Sequence, residues 1–120
     1  MADEITIKPY LKLLKGNHTQ TISPTAYTVD QTGIGAWHSV QNIGTSEESI
    51  TSFGDVTTEG WTYLRNLDTT NYVQIGFATT DYGMRLEAGE TACFRMEPAA
   101  DLFLKANTAA CEVEIFIAED

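Results

Sequence analysis

Apolar and polar positions alternate through the second half of the chain in short runs separated by turn residues. Residues 60–67 (GWTYLRNL), 71–77 (NYVQIGF), 91–96 (TACFRM), 102–106 (LFLKA) and 111–117 (CEVEIFI) all carry period two. That period sends successive side chains to opposite faces of a β-strand. Val73, Ile75 and Phe77 form one expected inward set, and Val113, Ile115 and Ile117 another. The first half is less regular. Residues 4–14 (EITIKPYLKLL) begin extended and are interrupted by Pro9, which has no ladder donor and favours an edge or a bulge. A turn at 15–18 (KGNH) precedes a second extended run, 19–29 (TQTISPTAYTV), with its own Pro24. The two runs are expected to form a long exposed hairpin or arm within residues 1–30, able to reach a neighbouring subunit.

Residues 30–35 (DQTGIG) read as a loop, 37–41 as a strand, 42–48 (NIGTSEE) as turn and 50–53 as a short strand. Residues 10–14 make a single apolar turn and 97–101 (EPAAD) at most one helical turn, both too short to hold a helix. Eight or nine short strands therefore predict an all-β fold: an antiparallel β-sandwich, jelly-roll-like, with a small barrel as the other closed arrangement. The 120 residues suit one domain, and a chain of this size buries roughly two thirds of its unfolded surface, enough for a core without staples.

The turns are read structurally. Asp68 in 66–70 (NLDTT) is expected to cap a hairpin loop through its side chain, and Gly89 in 87–90 (EAGE) to supply a positive φ before the next strand.

Charge narrows the partners. Seventeen acidic residues against seven basic ones give a net charge of −10, which repels phosphate backbones and anionic lipid, so neither nucleic acid nor membrane is expected. Lys8, Lys12 and Lys15 lie near the start, while Arg65, Arg85, Arg95 and Lys105 fall in separate later segments and form no stripe. The first residues carry acids where a secretory signal needs a basic region, and no apolar run is long enough to span a bilayer, so synthesis in the cytoplasm is expected. Alternation puts Cys93 on the face opposite Ala92, Phe94 and Met96, but Cys111 with Val113, Ile115 and Ile117. One thiol outward and one inward argue for two free cysteines.

Catalytic patterns are sparse. His18 and His38 lack any HxH or HExxH spacing, so neither points to zinc. No serine lies in GxSxG, and a Ser or Cys nucleophile would need His18 or His38 as its base; Cys93 with His38 is one such pair, and nothing singles it out. Asp68 with Asp81, or Glu87 with Glu90, could bind calcium, but the spacing matches no EF-hand and turn carboxylates are ordinarily solvated. The Gly33–Gly35 stretch (GIG) lacks the following helix that a phosphate cradle needs. No catalytic residue, metal or cofactor is assigned. Trp61 and Tyr63 share a strand face with Arg65, opposite Leu64. They are either core residues or, with Tyr72, an exposed platform for sugar rings or a protein partner.

The ordered segments GWTYLRNLDTTNYVQIG, RLEAGETACFRM and LKANTAACEVEIFIAED resemble the carboxy-terminal pattern of small β-rich virion proteins of tailed bacteriophages. The resemblance covers about half of the chain. It implies a non-enzymatic assembly role in the virion and carries over no functional residue. The expectation is a capsid decoration (cement) protein that binds the shell as an oligomer, with the major capsid protein as partner. A tail or tail-fibre component and a carbohydrate-binding module with a glycan ligand are the alternatives.

Overall fold

The computed structural model describes residues 4–120, all β-strand and connecting loop. The chain divides into two compact units that meet in sequence between Thr32 and Gly33.

The first unit is a two-stranded ribbon. Strands β1 (Ile5–Ile7), β2 (Leu11–Lys15), β3 (His18–Ile22) and β4 (Tyr27–Val29) pair in nested antiparallel fashion, β2 with β3 and β1 with β4. Pro9 and Pro24 both fall in the gap between the two ladders, where a missing N–H breaks no ladder bond. The tip is a two-residue turn in which Gly16 takes φ 58°, a conformation that suits a residue without a Cβ. Residues 10–14, which could have made an apolar helical turn, lie along the ribbon instead, and every residue of β2 and β3 is exposed.

The second unit, Gly33–Asp120, is a β-sandwich. Its strands are β5 (Ala36–Ile43), β6 (Glu48–Ile50), β7 (Glu59–Asn66), β8 (Val73–Gly76), β9 (Met84–Leu86), β10 (Thr91–Arg95), β11 (Leu102–Ala106) and β12 (Cys111–Glu119). One antiparallel sheet has the order β10-β7-β12-β5 and the other β6-β11-β8-β9. The pairs are nested: β5 with β12, β6 with β11, β7 with β10, and β8 with β9. The inner faces supply Ile43, Leu64, Val73, Ile75, Leu102, Leu104, Val113, Ile115 and Ile117, all essentially inaccessible to solvent. Each such side chain contributes about 1.5–3 kcal/mol on burial.

Several local expectations change. The 66–70 loop is not a hairpin, because β7 and β8 lie in different sheets and the loop crosses between them. Phe77 is 46% exposed although Val73 and Ile75 are buried. The alternation stops at Gly76, where a Cβ would lie 1.9 Å from the Asp81 carbonyl oxygen as the chain folds back. Strand β6 covers Glu48–Ile50, earlier than residues 50–53, while Phe53 forms only an isolated bridge with Val56. Strand β9 carries too short an alternation to stand out in sequence and exists because β8 offers it an edge. Residues 97–101 form a turn without helix, closed by the Ala100 amide on the Glu97 carbonyl at 3.1 Å.

Candidate functional site

The outer face of the β10-β7-β12-β5 sheet gathers the aromatic candidates. On β7, Leu64 and Thr62 are buried, while Trp61 and Tyr63 lie half-buried on the outer side and Arg65, of the same parity, is exposed. Across the sheet, register places Cys93, Tyr63, Phe116 and His38 in one row, and Thr91, Arg65, Glu114 and Val40 in the next. Phe116 is 38% and Val40 51% exposed. His38 Nε2 lies 2.8 Å from Glu114 Oε2, and its ring meets Phe116 edge-on at 5.7 Å. Arg95 sits over Trp61 at 5.7 Å from the ring centre and reaches Asp120 at 2.7 Å. The result is an apolar band with charged groups along its border, a composition suited to stacking on a flat ligand or packing against a protein.

The other aromatics lie elsewhere. Tyr72 stacks under the Arg85 guanidinium at 4.0 Å, beside the opposite sheet, so it does not extend the Trp61–Tyr63 platform. Trp37 packs edge-on against Phe53 at 5.6 Å and belongs to the border of the core.

The same register separates the Cys93–His38 pair. Two strands lie between them, so three inter-strand steps put them about 14 Å apart, too far for proton transfer. Cys93 is exposed and Cys111 buried, and desolvation pushes both thiols above their ordinary range. His18 lies at the ribbon tip, opposite Lys15.

The turn carboxylates serve the backbone. Asp68 accepts the Asn71 amide at 2.6 Å and the Thr70 amide at 2.9 Å, and these bonds hold its carboxyl below the usual range. Glu90 accepts the Glu87 amide at 2.8 Å in the turn where Gly89 takes φ 79°. Among the described residues, no group of three or more His, Cys, Asp or Glu is arranged to hold a metal ion. The GIG stretch cradles a carboxylate of its own chain: a Cβ on Gly33 would lie 2.5 Å from Glu119 Oε1, and one on Gly35 2.8 Å from it.

Three polar hubs went unread in the sequence. Asn66 is fully buried; its Nδ2 donates to the carbonyls of Asn71, Leu86 and Glu87, and its Oδ1 accepts the Asp68 amide at 3.0 Å. Glu119 accepts from Thr57 Oγ1 at 2.6 Å, Thr57 N at 3.1 Å and Gly35 N at 2.9 Å. The Thr57 hydroxyl first, then the Thr57 and Gly35 amides, pull its carboxyl down to about 2. Glu47 ties down the 79–82 loop through Thr79, the Thr80 amide and the Tyr82 hydroxyl. A signal for one of them existed: Asn66 follows the inward parity of Thr62 and Leu64. A polar residue on an apolar parity marks a satisfied buried network more often than a surface.

A shallow cleft of about 260 Å³, lined by Ile75, Phe77, Ala78, Asp81 and Met84 among others, is smaller than the usual small-molecule site. The first unit offers a larger surface. Its ribbon exposes Tyr10 at 62%, Leu11 at 58%, Leu14 at 65% and Ile22 at 51%. An isolated two-stranded hairpin is marginal in water, so side chains of this kind are suited to being covered. Comparison with protein families, curated proteins and solved structures finds no match for this chain.

Proposed function

We propose that the chain is a non-enzymatic structural subunit of a tailed-phage virion, a decoration protein that binds the capsid shell as an oligomer with the major capsid protein as partner. It would be made in the host cytoplasm and reside in the particle. The observation that carries this reading is the nesting of the eight sandwich strands, first with last and so on inward. Such a ribbon folded over itself is read as a jelly roll, an architecture used by viral capsid and lectin domains. That is an argument from fold, and fold alone does not fix function. The exposed ribbon and the second-half resemblance to virion proteins add to it.

The test is a reconstruction of virions carrying this gene, with mass spectrometry of the purified particles. Density for the sandwich at symmetry positions on the shell is expected. Density on the tail selects the tail or fibre alternative, and absence of the protein from purified particles overturns both.

A glycan-binding role has its own support in the open face carrying Trp61, Tyr63 and Phe116. Binding on a glycan array that Tyr63→Ala and Phe116→Ala abolish, with the fold intact, is expected on this reading. An array without signal removes it.

A further inference from the structure

The four edges of the sandwich are unequal. Strands β6 and β9 span three residues each and β10 five, and each of these edges carries a charged residue, Glu48, Arg85 and Arg95 respectively. Strand β5 runs for eight residues (AWHSVQNI) with no Pro, Asp, Glu, Lys or Arg, and its register on β12 is unbroken. Short length, charge, proline and bulges are the devices that keep a sheet edge from pairing with another chain. Strand β5 has none of them.

The ladder shows which of its backbone groups are free. The Glu119 amide donates to the Gly35 carbonyl at 2.9 Å, in line with the Ala118↔Ala36 pair. On the far side of β12, the Leu67 amide donates to the Glu112 carbonyl at 2.8 Å, in line with Val113↔Asn66. Odd-numbered residues of β12 therefore bond toward β5 and even-numbered ones toward β7, and on β5 the odd-numbered residues bond toward β12. The amides and carbonyls of Ala36, His38, Val40 and Asn42 point the other way, and among the described residues nothing bonds to them. Val40, in the middle of this edge, is 51% exposed.

We propose that β5 pairs antiparallel with β5 of a second copy about a two-fold axis at Val40, joining two four-stranded sheets into one. The edge is its own complement in this register. Val40 exchanges both backbone bonds with the partner's Val40, and His38 does so with the partner's Asn42. Ser39 falls across from the partner's Gln41 and Trp37 across from the partner's Ile43, polar on polar and apolar on apolar. A chain of net charge −10 repels its own copy at most approaches, and the uncharged β5 is the exception. Glu114, the acid in the axial row, lies one strand in, so it is three inter-strand steps, about 14 Å, from its symmetry mate, beyond the roughly 8 Å screening length of physiological salt. One strand pair is a smaller seam than a tight dimer uses, so association in the micromolar range is expected. The contact deepens the oligomer of the assembly reading and rests on that reading for its place in a particle.

The test is sedimentation velocity on the full chain, without any particle, at concentrations up to about 0.2 mM. A monomer–dimer equilibrium is expected. Val40→Lys puts two like charges on the axis, and Val40→Pro removes an amide that only the partner uses, at an edge position that tolerates proline. Each should keep the circular dichroism of the wild type and dimerise at least about tenfold more weakly. An equimolar mixture of Val40→Lys and Val40→Glu should recover association, because on a two-fold axis the lysine of one copy meets the glutamate of the other. Val40→Cys in a Cys93→Ser background should oxidise to a covalent dimer, since facing residues of a hydrogen-bonded pair lie about 5.5 Å apart at Cα, within disulfide range. A wild type that stays monomeric overturns the proposal, as does a dimer untouched by both Val40→Lys and Val40→Pro. A mixture that stays monomeric, or crosslinking through Ser39→Cys in preference to Val40→Cys, overturns the axis at Val40. Density on the shell from a chain that is monomeric in solution overturns this contact alone, while a β5-paired dimer absent from purified particles overturns the virion reading and leaves the contact standing.

Discussion

The carboxylate of Glu119 accepts the amide of Gly35, 84 residues earlier in the chain, at 2.9 Å. It also holds Thr57 through hydroxyl and amide, so one acid at the end of the last strand fastens the loops before β5 and β7. Folding lowers its pKa from an ordinary 4.5 to about 2, so the folded state favours the carboxylate. The stabilisation is fully present above about 4.5, shrinks as pH falls, and is gone below about 2. Urea unfolding of the wild type should lose stability across that window, and Glu119→Gln should lose less there while starting lower at neutral pH. Identical pH profiles for the two proteins would contradict the assignment.

Asn66→Ala is expected to cost about 2–4 kcal/mol, because it strands buried carbonyls of Leu86 and Asn71 and the amide of Asp68. Chemical denaturation at neutral pH measures it. Asn66→Asp should be no rescue, since a carboxylate cannot donate to those carbonyls.

Truncation separates the two units energetically. Leu104→Ala, fully buried between the sheets, should destabilise the sandwich by about 3 kcal/mol. Leu14→Ser, at 65% exposure on the ribbon, should change the same transition by about 0.5 kcal/mol or less. Equal losses would mean that the ribbon is part of the sandwich core.

Thiol labelling should distinguish the cysteines. One equivalent, Cys93, is expected to react in the native protein, and Cys111 only after denaturation. The raised Cys93 pKa predicts a rate at pH 8 below that of a small free thiol, since less of it is thiolate. Two reactive thiols in the native state would contradict the buried position of Cys111.

Thr80 holds φ 56°, which a β-branched residue adopts only at a cost, and the Glu47 carboxylate grips its amide at 2.7 Å. Thr80→Gly should be neutral or stabilise by up to about 1 kcal/mol, because the relieved strain opposes the added freedom of the unfolded chain. Thermal unfolding reads the sign, and a marked loss would mean that the Thr80 side chain contributes more than the backbone costs.

Alternation by itself determined the all-β class, the strands built around Val73, Leu104 and Ile115, and the opposite orientations of the two cysteines, since period two is a property of the local backbone. Pro9, Pro24 and the KGNH turn likewise outlined the ribbon locally. Which strands are neighbours was another matter. The 66–70 loop that looks like a hairpin crosses between sheets, and Cys93 and His38 fall on opposite edges of one sheet, because pairing partners are chosen by the global closure of the sandwich. Glu119 reads as one more surface acid until the fold brings Gly35 and Thr57 to it. The tertiary structure alone decided that contact, for a hydrogen bond needs proximity and proximity across 84 residues is set by topology.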